Sequence, residues 1–280
     1  FMEDGSIDFE ALARLIDNQL EGGIDFFCVL GTTAETPTLN MEERRAITRF
    51  FIDRVAGRVP LLLGAGGNDT RKVIEGLKDI PEGIDGLLIV APYYNKPSQE
   101  GLYQHYKAVA EATDLPIVLY NVPGRTGVNM TAETTLRLAH ASKNIIAIKE
   151  ASGNIEQMQE ILNGKPEHFN VVSGDDGITV ELIKRGGEGV ISVAANAFPK
   201  LFCGCIHRAM AGDIESSERE MREIFTEPLN LIFREGNPVS VKVMTEAMGL
   251  TNSEVRLPLV DGTEALRHDI KKAITKYDLR

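Results

Sequence analysis

Seven short apolar runs punctuate the chain, and they set most of what it can fold into: DFFCVLGTT (25–33), PLLLGAG (60–66), GLLIVAPYY (86–94), PIVLYNVP (116–123), IIAIKEAS (145–152), FNVVSGDD (169–176) and GVISVAANA (189–197). Their apolar residues run consecutively instead of alternating, the pattern of strands buried on both faces of a parallel sheet. Between them lie segments of helical period, such as MEERRAITRFFIDRVAG (41–57) and SQEGLYQHYKAVAEAT (98–113). The runs begin 20 to 35 residues apart, which leaves room for one helical return each.

That β-then-α alternation narrows the architecture to a doubly wound open sheet or a (β/α)8 TIM barrel. An open sheet that binds dinucleotides carries G-x-G-x-x-G after a strand, and GAGGND (64–69) matches it only in part. The barrel is the expectation. The chain opens on a helical stretch, DFEALARLIDNQLEGG (8–23), with no strand before it, so the first of eight strands is expected to be missing from the chain given. Residues 1–212 are assigned to the barrel, with PKLFCGCIHRAMAG (199–212) as its last helix. Residues 213–280, helical in pattern throughout, are expected to form a C-terminal α-helical extension.

Composition narrows the partners. A formal net charge of -11 over 280 residues repels nucleic acid and anionic membrane surfaces. No run approaches the roughly 18 apolar residues of a membrane-spanning helix. Three cysteines, Cys28, Cys203 and Cys205, with no C-x-x-C spacing, support neither a disulfide framework nor a zinc site, and they fit a reducing cytoplasm. Small-molecule chemistry is the expected class.

In a TIM barrel, reacting groups come from the C-terminal ends of the strands and the loops that follow. Those positions hold Thr32, Thr33, Tyr93, Tyr94, Tyr120, Arg125, Lys149, Glu150, Gly174, Asp175 and Asp176, and no histidine. The five histidines show no ligand spacing, so no metal is expected. Asp175 and Asp176 either cap the next helix or hold a hard cation. The CGC at 203–205 reads as small packing residues on a helix.

Lys149 stands out because the four residues before it are apolar. A buried ammonium costs several kcal/mol unless it is paired, and a buried amine readily exists without its proton. A free amine attacks a ketone to give an iminium, whose adjacent carbon then loses a proton to give a nucleophilic enamine. The alternative is an ion pair with Glu150 or another acid. Neighbouring strand residues point to opposite faces, however, so Lys149 and Glu150 cannot both face a barrel interior. Tyr120 either moves the protons of this chemistry or packs as an aromatic. Tyr93 and Tyr94 read as rim or subunit contacts, and Arg125, in NVPGRTG (121–127), as a solvated charge or a carboxylate grip. Glu150 has no role legible in the sequence.

The motifs GTTAETPTLN (31–40), APYYNKPSQEGLYQHY (91–106), YNVPGRTG (120–127), IKEASGN (148–154), SGDD (173–176), GVISV (189–193) and NPVSVK (237–242) occur together in order. Together they resemble the dihydrodipicolinate synthase family, the pyruvate-dependent class I aldolases that also include N-acetylneuraminate lyase. The likeness runs along essentially the whole chain.

The resemblance implies that Lys149 forms the Schiff base with pyruvate and that Tyr120 moves protons at the bound substrate. Thr33 and Tyr94 match the hydroxyls of a proton relay with Tyr120, the Tyr94 equivalent reaching in from a neighbouring subunit of a homotetramer built as a dimer of dimers. Thr32 and Thr33 lie where the pyruvate carboxylate binds, Arg125 matches the grip on the second substrate's carboxylate, and Gly174 and Ile191 match wall positions beside the lysine. The Thr-Thr pair and Arg125 resemble the synthase more than the lyase. The implied reaction joins pyruvate to L-aspartate 4-semialdehyde, giving 4-hydroxy-tetrahydrodipicolinate for lysine and diaminopimelate synthesis, with no cofactor. The alternative is a related aldolase acting on N-acetylneuraminate or a 2-keto-3-deoxy sugar acid.

Two departures matter. Ala34 stands where the family usually has glycine, so that position is expected at ordinary φ. At the inhibitory lysine site of the family, Asn68 and Tyr93 match, but Met41 and Arg44 replace histidines and Lys72 stands for a glutamate. A cation facing the inhibitor's ammonium is repulsive, so inhibition by L-lysine is expected to be weak or absent.

Overall fold

The computed structural model describes residues 1–279, which group into two compact units. The first comprises residues 26–29 and 60–191 and holds the sheet. Its strands are β1 (Phe27–Val29), β2 (Leu61–Gly64), β3 (Gly86–Val90), β4 (Ile117–Asn121), β5 (Ile145–Glu150) and β6 (Asn170–Ser173). They pair in sequence order and all in parallel, each joined to the next through a helix from β2 onward. The apolar runs dictate this, because a strand with no polar side must be covered on both faces.

Alternation then sorts the side chains. Leu62, Leu88, Val118, Tyr120 and Ala147 form one apolar cluster with Ile191. Leu87, Ile89, Leu119 and Ile148, one residue out of step, are completely buried on the opposite face. Lys149 shares the face of Ala147, and Glu150 shares that of Ile148.

A slip in pairing sets what stands beside Lys149. Ile117 pairs with Ile145 but Val118 pairs with Ala147, so Ile146 is an extra residue in β5. Downstream of it Tyr120 lies opposite Lys149 and Asn121 opposite Glu150. Without the slip Tyr120 would face Ile148.

The seventh run does not become a strand. Only Val190 bridges to Ser173, and the Ile191 N–H donates to the Ser173 carbonyl. The Ser192 hydroxyl then accepts from the Ala195 N–H at 2.9 Å and turns the chain into a 3-10 helix at Ala194–Asn196. The sheet is therefore six-stranded plus one bridge, where the sequence pattern suggested a seventh strand.

The second unit, residues 1–25, 30–59 and 192 onward, is helical. Its helix Met41–Val55 starts with a capping box in which Asn40 and Glu43 satisfy each other's N–H groups, a device contributing ~1 kcal/mol. Phe225 stacks on Phe198 and meets Phe202 edge-on, with ring centroids 6.0 and 5.4 Å apart. Cys203 and Cys205 lie on the helix Pro199–Met210 as expected, and burial pushes both thiols up to about 11. Residues 248–263 carry no helix, since Gly249 takes a φ of 78° and Pro258 withholds an N–H, so the region after 213, helical in sequence pattern, is interrupted there. No helix among the described residues is long and apolar enough to cross a membrane.

Candidate active site

Lys149 is 8% exposed at the end of β5, and its Nζ lies 4.4 Å from the centroid of the Tyr120 ring. The pairing register brings these two side chains together. Among the described residues Lys149 has no ion-pair partner, and the neighbouring Glu150 bonds elsewhere, accepting from Asn121, Gln157 and the Ser152 N–H. An amine that is buried, beside a phenol and without an acid can serve as a nucleophile.

Two neighbours shape the space around that amine. A Cβ on Gly174 would stand 2.5 Å from Ala151 Cβ and 3.1 Å from Lys149 Cε, so only glycine leaves the lysine stem its place. Burial pushes the Cys28 thiol up, against the pull of Lys149's charge, so Cys28 is held as a neutral thiol. Ile191 packs in the same apolar cluster as Tyr120.

Tyr94 and Arg125 lie in the same unit. Tyr94 is 89% exposed with φ at +74°, a left-handed conformation that costs a bulky residue ~1 kcal/mol or more. Its N–H donates to the Thr126 carbonyl at 3.3 Å, which ties it to the turn that carries Arg125. Arg125 sits exposed on the single-turn helix Pro123–Thr126, closed by Gly127 at φ 75°.

Thr32 and Thr33 belong to the other unit, on the 3-10 turn Thr32–Ala34. Ala34 has ordinary φ, and the left-handed conformations fall instead on Leu30 and Glu35, at 56° and 50°. The Thr33 hydroxyl donates to Asn237 Oδ1 at 3.1 Å. Glu35 is buried and accepts from Lys242 Nζ and from the Arg256 N–H, while Lys242 also donates to the Glu254 carbonyl. Burial holds the Lys242 amine below its ordinary range against the opposing pull of Glu35. The motif NPVSVK thus supplies both supports of the threonine turn, Asn237 and Lys242. Neither residue of that motif has a task legible in the sequence, because the acid that Lys242 meets lies 207 residues away.

The acidic pair follows the simpler of its two readings, since Asp175 accepts from the Gly177 N–H at 2.8 Å and caps the turn Asp176–Ile178. No group of three or more His, Cys, Asp or Glu among the described residues is arranged to hold a metal ion.

Comparison with known proteins identifies the family. The pattern of the Dihydrodipicolinate synthetase family matches residues 1–277. The 4-hydroxy-tetrahydrodipicolinate synthase of Phocaeicola vulgatus is 60% identical over 261 residues, which cover 93% of this chain and 88% of that one. The solved dihydrodipicolinate synthase of Thermotoga maritima superposes with a TM-score of 0.96 at 40% identity, covering 100% of this chain and 96% of that one. The Acinetobacter baumannii enzyme, solved with pyruvate, gives a TM-score of 0.94 at 39% identity, covering 100% and 96%. The six-stranded sheet with its helices is thus a TIM-barrel-like α/β fold. Matched nearly end to end in sequence and superposable in structure, the chain belongs to the dihydrodipicolinate synthetase family.

Proposed function

We propose that this chain condenses pyruvate with L-aspartate 4-semialdehyde through a Schiff base on Lys149, giving 4-hydroxy-tetrahydrodipicolinate for lysine and diaminopimelate synthesis. The observation that carries the reading is the buried amine of Lys149 beside the Tyr120 ring, with no carboxylate partner. Relatives at up to 60% identity that bear the synthase name, and one solved with pyruvate, support the substrates.

Lys149 Nζ attacks the ketone carbon of pyruvate, and water leaves as the iminium forms. Loss of a methyl proton gives the enamine, whose carbon bonds to the aldehyde carbon. The semialdehyde's amine then adds at the iminium carbon, expels Lys149 and closes the ring. Tyr120 moves protons at these steps, with Thr33 and Tyr94 as relay hydroxyls. Thr32 and Thr33 bind the pyruvate carboxylate, Arg125 grips that of the semialdehyde, and Gly174 and Ile191 wall the lysine. No cofactor takes part.

The strained, exposed Tyr94 supports the assembly, a homotetramer of paired dimers in which this side chain enters a neighbouring subunit. The finer architecture belongs to the same reading: an eight-stranded barrel, with residues 213–280 as its helical extension. Three free thiols support a cytoplasmic setting. L-lysine inhibits weakly or not at all, on the strength of Met41, Arg44 and Lys72; an inhibition constant well below millimolar overturns that part.

The test is direct. Incubated with pyruvate and reduced with borohydride, the protein gains a single adduct of about 72 Da, and Lys149→Ala gains none. Absence of the adduct in the parent protein overturns the reading.

A further inference from the structure

Glu150 is completely buried, adjoins Lys149 in the chain and forms no ion pair among the described residues. Its oxygens accept four hydrogen bonds from three donors: the Ser152 N–H at 2.7 Å, Asn121 Nδ2 at 3.2 and 3.0 Å to the two oxygens, and Gln157 Nε2 at 3.0 Å. A buried acid with only donors around it is fully satisfied, and it fixes the orientation of every donor that it meets.

The two amides carry that orientation further. Because Nδ2 of Asn121 is committed to Glu150, its Oδ1 is turned to accept from the Met130 N–H at 3.0 Å. Because Nε2 of Gln157 is committed likewise, it also donates to the Met130 carbonyl at 3.2 Å. Asn129, next in the chain, donates to Gln157 Oε1 and accepts from Asn121 Nδ2, both at 2.8 Å. Asn129 and Met130 are therefore gripped by side chain and by both backbone groups. They form the return leg of the loop that leaves β4 after Asn121 and carries Arg125. Glu150 lies on the opposite sheet face from the Lys149 amine, so its reach is into this loop.

We infer that Glu150, acting through Asn121 and Gln157, is a positioning residue for the Arg125 loop and so serves the second substrate, the carboxylate-bearing aldehyde, more than the Schiff base. The inference rests on the roles proposed above for Lys149 and Arg125. Glu150→Gln keeps the size of the side chain but places an amide N–H₂ against the donors of Asn121 and Gln157, so the orientation of both amides is lost. The adjacent Lys149 keeps its place through the β4 and β5 pairing, which the exchange leaves intact.

The experiment compares the two half-reactions in the full-length protein. Glu150→Gln is expected to take up pyruvate in the borohydride-trapped adduct to the parent's extent, with pyruvate KM within about twofold, while aldehyde KM rises about tenfold or more. In the Arg125→Ala background the same exchange is expected to change aldehyde KM no further, since both changes remove one grip. If Glu150→Gln fails to fold, Gln157→Ala reads the same effect, because it removes the Gln157 bonds to Asn129 and to the Met130 carbonyl while Glu150 keeps Asn121 and Ser152.

Equal losses for pyruvate and aldehyde, or a full additional loss in the Arg125→Ala background, overturn this inference alone. A parent protein that gains no adduct overturns the reading of Lys149 beneath it.

Discussion

Two lysines of this chain turn inward, and they do so in opposite ways. Lys149, in the sheet unit, ends beside a phenol ring with no acid in reach; Lys242, in the helical unit, is held by Glu35 and the Glu254 carbonyl. A buried cation with an acid is a structural tie that is strongly destabilising to break from one side. A buried amine without one lacks that tie and is a candidate for chemistry. The difference teaches that burial of a charged residue does not distinguish scaffold from reactive group; its partners do.

Changing each lysine to methionine is the sharpest way to break this contrast. Lys149→Met is expected to lower turnover ~10³-fold or more, because the amine proposed as nucleophile is gone. The same change is expected to leave folding stability equal or raise it by about 1 kcal/mol, since an unpaired polar group gives way to an apolar one. Lys242→Met is expected to do the reverse, costing about 3 kcal/mol in urea denaturation by leaving Glu35 buried and unpaired. Its pyruvate adduct should persist. Stability losses of similar size for both variants would erase the distinction.

Crowding tests the reactive side alone. Gly174→Ala introduces a Cβ into the space of Ala151 and the Lys149 stem, and it is expected to slow adduct formation by ~10²-fold. A time course of borohydride-trapped adduct reads this, and an unchanged rate means the lysine stem is free to move aside.

His105 extends the comparison to a third inward base. It is buried, its Nδ1 meets the Thr70 hydroxyl at 2.9 Å, its Nε2 has no partner, and burial lowers it to about 4 from 6.5. Folding therefore favours the neutral ring. As pH falls below 6.5 the unfolded chain takes up a proton that the folded one refuses, so stability is lost between about 6.5 and 4, by up to about 3 kcal/mol. Denaturation midpoints are expected to fall over that window, and His105→Gln to flatten the part of the slope above pH 5. A slope that His105→Gln leaves unchanged assigns it to other groups.

Much of this was legible beforehand because it rests on local pattern. Consecutive apolar residues marked the six strands, and Ile145 to Ile148 marked Lys149 as inward-facing. The GVISVAANA run misled because Ser192 turns the chain by hydrogen-bonding the Ala195 N–H, a local competition that apolar content does not register. Glu150 had no derivable task because its partners, Asn121 and Gln157, come from a neighbouring strand and the following helix. Lys242 was invisible as a support because Glu35, its acid, lies 207 residues away.

By itself the sequence determined the parallel α/β plan, the inward aim of Lys149 and the family, since hydrophobic period and motif order are properties of a chain read in one dimension. Only the tertiary structure decided what stands beside each buried charge. The one-residue slip at Ile146 sets Tyr120 against Lys149, and packing brings Gln157 to Glu150 and Lys242 to Glu35. The physical reason is that a charge is stabilised, or left reactive, by groups within a few ångströms, and those neighbours are chosen by register and packing.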